Sequence, residues 1–106
     1  MEQTDINYHI DLQSLRKNFD SFKVSYNKKR DILFLQLENP PPAISVDYNG
    51  LFWLRVNPEN GEVVGVEIEA YRKTFLKRTR ELEHMKPTTS RPFVERISRE
   101  LVGCLS

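Results

Sequence analysis

The apolar residues of this chain change their spacing once, and that change limits its fold more than any other feature. Between Phe22 and Ile68 they recur at every second position; from Ala70 onward they recur at intervals of three and four. The first rhythm lines one side of a β-strand and the second lines one side of a helix. The chain therefore reads as an α+β domain: a five-stranded antiparallel β-meander covered on one face by a helix, with short helices at the ends.

Phe22, Val24 and Tyr26 alternate with polar residues, and Asn27 to Arg30 is a polar turn. Asp31 to Leu37 is apolar on nearly both sides, which suits a central strand. Pro40, Pro41 and Pro42 cannot continue its ladder, because proline lacks the donor and restricts the residue before it. Ala43 to Asp47 resumes as a short strand, and Asn49-Gly50 predicts a tight hairpin with both residues at positive φ. Leu51 to Val56 follows, Asn57 to Gly61 turns the chain around Pro58, and Glu62 to Ile68 completes the set. Short connections favour sequential strands as neighbours.

Alternation gathers Leu33, Leu35, Leu37, Phe52, Leu54, Val56, Val64, Val66 and Ile68 on one uniformly apolar face. The stripe Tyr71, Phe75, Thr79, Leu82 and Met85, widened by Leu76, supplies a helical cover from Ala70 to Met85. The opposite face mixes Ile32, Phe34, Leu51, Trp53 and Val63 with Gln36, Arg55, Gly65 and Glu67. A mixed but aromatic-rich face on so small a sheet calls for coverage by a terminal segment or by another subunit.

At the ends, Asp11 reads as the cap of a short helix carrying Leu12, Leu15 and Phe19. Lys86 to Pro92 reads as a linker, and Phe93, Val94, Ile97 and Leu101 recur at helical spacing. The expected organisation is a single domain over 1–106, with its core at 22–85 and extensions at 1–21 and 86–106.

The net charge of +1 exerts no general pull towards nucleic acid or anionic membrane. Its distribution is uneven, because the stretch from Glu69 to the end holds nine basic against five acidic residues. Apolar runs of at most four residues are far too short for a membrane span. Met1 to Leu15 carries Glu2, Asp5 and Asp11 and nothing resembling a signal peptide, so the expected location is the cytoplasm. Cys104 is the only cysteine, which excludes an intrachain disulfide.

Tyr26, Asp31-Ile-Leu-Phe-Leu-Gln-Leu37, the strand Leu51 to Val56, and Asn57-Pro-Glu-Asn-Gly-Glu-Val-Val-Gly-Val-Glu-Ile68 together resemble the family known as domain of unknown function 2283. Its members look like small β-rich proteins with a D-x-L-Y-L/I-x-L middle strand and a G-E-V-V-G-I-E-I last strand. The likeness spans Val24 to Leu76, with Gly61 to Ile68 its specific part. This chain has Phe34 where tyrosine is common, and it extends beyond the family core at both ends. The resemblance implies a fold and brings no activity, cofactor or catalytic residue.

Gly61 and Gly65 do not form a phosphate loop, since neither lies between a strand and a helix N-terminus. Gly65 marks a bulge or the close approach of a side chain such as Trp53 or Tyr71. His9, His84 and Cys104 lack the paired spacing of a structural zinc site, and no cofactor is expected. Cys104, near the terminus, is a poor nucleophile candidate, so enzyme activity is disfavoured. Three groups remain. Phe34, Leu51 and Trp53 form a candidate interface for a second copy or a protein partner. Arg55 and Glu67 share their face as a cross-strand ion pair or a small polar pocket. Arg72, Lys73, Lys77, Arg78 and Arg80 would offer phosphate contacts along a helix, making nucleic acid the alternative partner. The leading expectation is a non-catalytic, self-associating or protein-binding domain, a homodimer away from membranes.

Overall fold

The computed structural model describes residues 10–48, 50–77 and 82–105. Among these residues two α-helices and five strands follow in chain order: α1 (Leu12–Asn18), β1 (Lys23–Asn27), β2 (Ile32–Gln36), β3 (Ile44–Tyr48), β4 (Phe52–Val56), β5 (Val63–Ile68) and α2 (Arg91–Leu105). Short 3₁₀ turns occupy Phe19–Ser21 and Phe75–Lys77. All strand pairs are antiparallel, so the α+β class read from the periodicity is the one observed.

The strand order is β1-β2-β5-β4-β3, which departs from a meander at one point. β3, β4 and β5 are consecutive neighbours, but β5 returns beside β2, and β2 to β5 make a Greek key. The proline-containing connection from Leu37 to Ala43 takes the chain past two strands. That span is about 14 Å at three strand spacings, within the reach of seven residues at about 3.3 Å each. Insertion between β2 and β4 buries β5 on both edges, which suits its run of valines.

Asp11 caps α1 as expected, its carboxylate accepting from the Gln13 N–H at 3.1 Å. Ser14 ties that helix to the sheet. Its hydroxyl donates to the Asp11 carbonyl at 2.6 Å and accepts the Val63 N–H at 2.8 Å. Asn18 adds a bond from its side-chain amide to the Val63 carbonyl at 2.9 Å.

The cover over the apolar face is not the regular helix expected from Ala70. Ala70 stands at φ 51°, and the Phe75 and Leu76 N–H groups reach back five residues to the Ala70 and Tyr71 carbonyls. This loosened winding lets Tyr71, Phe75 and Leu76 all turn towards the sheet, and the Tyr71 and Phe75 rings stack at 5.8 Å. Thr79 lies outside the described residues.

One interior cluster joins Leu15 and Phe19, the inner sides of β2, β4 and β5, then Tyr71, Phe75, Leu76 and Leu82, and finally Phe93, Ile97 and Leu101 of α2. Both helices thus deliver their buried side chains to one side of the sheet. Val63 was expected on the other side. An extra residue at Val64, where the β4–β5 register shifts, changes the phase and turns Val63 inward. Among the described residues, no helix is long and apolar enough to cross a membrane.

Candidate functional site

Register fixes what the second side of the sheet presents. Reading across β1, β2, β5, β4 and β3, one row is Ser25, Phe34, Glu67, Trp53 and Asp47. The next row is Lys23, Gln36, Gly65, Arg55 and Ser45. Ile32, Phe34 and Trp53 are half-buried by their neighbours in the sheet, and none of them joins the interior cluster. The apolar side chains that α1 and α2 place in the interior cluster, Leu15, Phe93, Ile97 and Leu101, lie on the other side.

Phe34 and Trp53 therefore come together as expected, one strand either side of Glu67. Leu51 does not join them. It sits in the β3–β4 turn, where its N–H donates to the Tyr48 carbonyl at 2.9 Å, and its side chain rests against the rim of the interior. The turn breaks the alternation one residue before β4 begins. Gly50 has φ 70° as expected, while Asn49 lies outside the described residues.

Arg55 and Glu67 share the open side without pairing. Glu67 lies opposite Trp53 and Arg55 lies opposite Gly65, one step along. The Arg55 guanidinium instead donates to the Ser45 hydroxyl at 2.8 Å. Its stem crosses Gly65: a Cβ placed there would lie 3.3 Å from the Arg55 Cγ, 3.1 Å from the Gln36 Cβ and 3.0 Å from the Leu35 carbonyl oxygen. Gly65 is required by this close approach of Arg55 and Gln36, and not of Trp53 or Tyr71. Among the described residues, the Glu67 carboxylate has no hydrogen bond or ion pair.

The basic group is organised differently from a helical phosphate-binding face. Residues 70–77 are turn and 3₁₀ structure, so Arg72, Lys73 and Lys77 do not follow one another along an α-helix. The Arg72 guanidinium lies over the Tyr26 ring at 5.5 Å. Arg78 and Arg80 lie outside the described residues.

Asp31, just before β2, ties together distant parts of the chain. Its carboxylate accepts from the Tyr26 hydroxyl at 2.6 Å and from the Arg72 and Lys73 N–H groups at 2.9 and 3.1 Å, and its carbonyl accepts the Tyr71 N–H at 3.0 Å. This fastens the segment after β5 to the β1–β2 hairpin. Desolvation pushes the Asp31 pKa up, but the hydrogen bonds from Tyr26, Arg72 and Lys73 and the Arg72 charge together hold it below the usual carboxylate value. Desolvation, then the bond to Asp31, raises that of Tyr26.

His84 is exposed, and Cys104 is half-buried at the end of α2, where it lines a recess of about 280 Å³ with Trp53, Glu69 and Phe75. His9 lies outside the described residues. Among those described, no three His, Cys, Asp or Glu side chains are placed to hold a metal ion. The strand at Ala43 to Asp47 was expected, but its Ser45 and Asp47 were not assigned to the open side, where they stand at the end of both rows. No protein-family profile, curated protein or solved structure matches this chain.

Proposed function

We propose that this protein is a non-catalytic interaction module, homodimeric, whose open sheet face receives a segment of a partner protein carrying a basic side chain. The observation that carries this reading is the row Phe34–Glu67–Trp53: a carboxylate without a partner among the described residues, held between two half-buried aromatic residues. A lysine or arginine side chain laid across that row meets a carboxylate and the faces or edges of two π-systems, each favourable to a cation. A face built on paired strands also binds with little loss of conformational freedom. The dispersed polar groups support a non-catalytic role, since Ser14 and Asp31 are engaged in bonds that hold elements together.

Trp53 is the only tryptophan, so its fluorescence reads the proposed surface directly. A lysine- and arginine-containing peptide should shift its emission saturably, and Glu67→Gln should weaken that response. An equal response to a glutamate-rich peptide, or none to the basic one, would refute the reading. The resemblance to domain of unknown function 2283 adds no activity to it. No observation favours nucleic-acid binding through Arg72, Lys73 and Lys77 over this use of the sheet.

A further inference from the structure

The two edges of the sheet are finished differently. At β1 the Val24 N–H is taken by the Thr89 hydroxyl at 3.1 Å, and Lys23 stands on the same strand. β3, at the other edge, pairs only with β4 among the described residues. An unpaired edge is a template for another strand, and natural sheets normally block it.

The hydrogen-bond parity of the sheet shows which groups of β3 face outward. Leu37 N–H donates to the Val64 carbonyl and Asn57 N–H to the Glu62 carbonyl, so Trp53 and Arg55 bond towards β5. Phe52, Leu54 and Val56 then bond towards β3, to Tyr48, Val46 and Ile44. The N–H and C=O groups of Ser45 and Asp47 consequently point away from the sheet.

We infer that two copies of this chain join β3 to β3 about a two-fold axis at Val46, forming a continuous ten-stranded antiparallel sheet. In this register Ser45 of each copy lies opposite Asp47 of the other, and the two pairs exchange four main-chain hydrogen bonds. Val46 meets its own counterpart in the closer, non-bonded pairing. Charge agrees with this register. Centring on Asp47 would set two carboxylates against each other, whereas centring on Val46 brings each Asp47, unpartnered among the described residues, to the Ser45 hydroxyl that Arg55 already binds. On the inner side, Ile44 and Val46, which are half-buried against the rim of the core, gain a second cover.

The open face alone falls short of the area that a stable joint between copies needs. Five strands about 4.8 Å apart and five residues at about 3.4 Å give each open face roughly 400 Å². A stable specific interface buries roughly 800 Å² per partner. Edge pairing makes the two open faces continuous and doubles the platform. The inference rests on the interaction-module reading only for the use of that platform.

The test is made on the full chain. Light scattering at micromolar concentration should return twice the single-chain mass of 12.5 kDa. In a Cys104→Ser background, Val46→Cys should form an intermolecular disulfide, because the non-bonded antiparallel pairing places the two Cα atoms about 4.5 Å apart. Ile44→Cys should not, its counterpart lying well along the strand. Asp47→Pro removes an outward N–H without touching the bonds to β4, and should halve the mass with an unchanged circular dichroism spectrum. A single-chain mass for the unaltered protein overturns the inference, as does a dimer that survives Asp47→Pro or fails to cross-link through Val46→Cys. Should Asp47→Pro not fold, the cysteine pair decides alone. A dimer lost with Trp53→Ser and kept with Asp47→Pro places the joint on the face instead. A Trp53 response to basic peptide that persists in monomeric Asp47→Pro supports the module reading independently.

Discussion

Replacing Asp31 with asparagine should separate the charge of its carboxylate from its shape. Asparagine tolerates the φ of 57° found at this position, so backbone strain is not introduced. One Asp31 oxygen accepts from the Tyr26 hydroxyl and the Arg72 N–H, and the other accepts from the Lys73 N–H. Asparagine can keep the first oxygen and must present an amide donor towards Lys73. The loss is one hydrogen bond and the charge assistance of two others at a site open to water. At the low end of about 0.5–1.5 kcal/mol per bond, Asp31→Asn should cost about 1 kcal/mol. Asp31→Ala removes all three acceptor contacts and puts a Cβ residue of poorer left-handed tolerance in place, for about 2 kcal/mol.

The pH dependence distinguishes this account from simple loss of packing. The folded-state pKa of Asp31 lies below its ordinary value of 3.8. Its contribution is therefore complete above that value and disappears as pH falls through the folded-state pKa. Urea denaturation of the native chain and Asp31→Asn should differ by about 1 kcal/mol near neutral pH. The two curves should converge in acid, once both carry a neutral side chain. Tyr26→Phe should lower the difference, since the shortest bond is then gone from both proteins. A gap that stays constant into strong acid, or no gap at neutral pH, refutes the charged anchor.

Tyr71 is 1% exposed, and its hydroxyl is buried without a hydrogen-bond partner among the described residues. Tyr71→Phe should raise stability by about 1 kcal/mol in the same assay, and a loss would reveal a partner for that oxygen. Ser14→Ala strips the acceptor from the buried Val63 N–H, and should lower stability by about 1–3 kcal/mol. Ser14→Thr should recover part of that loss by restoring the hydroxyl. Gly65→Ala drives a methyl group against the Leu35 carbonyl and the Arg55 stem, for a loss of about 1–2 kcal/mol by denaturant midpoint.

Much of the fold was legible because a strand with one buried side must write its period into the chain. The strands, most of the inner face, the Asp11 cap, the left-handed Gly50 and the shared face of Phe34 and Trp53 all follow from local pattern and turn chemistry. Periodicity says which side a residue faces and is silent about which strand lies beside it. The placement of β5 between β2 and β4 was therefore decided by tertiary packing, as was the bulge that turned Val63 inward. The segment after Ala70 shows the same limit. Its apolar spacing correctly marked Tyr71, Phe75, Leu76 and Leu82 for burial, yet the Asp31 anchor and the loosened winding, contacts distant in sequence, replaced the regular helix. The partnership of Arg55 with Ser45 and its failure to pair with Glu67 depend on register, which no single strand encodes. The sequence alone determined which residues leave water; only the assembled sheet decided which polar groups are left facing outward, because main-chain pairing consumes donors and acceptors strand by strand and leaves the remainder at the edge.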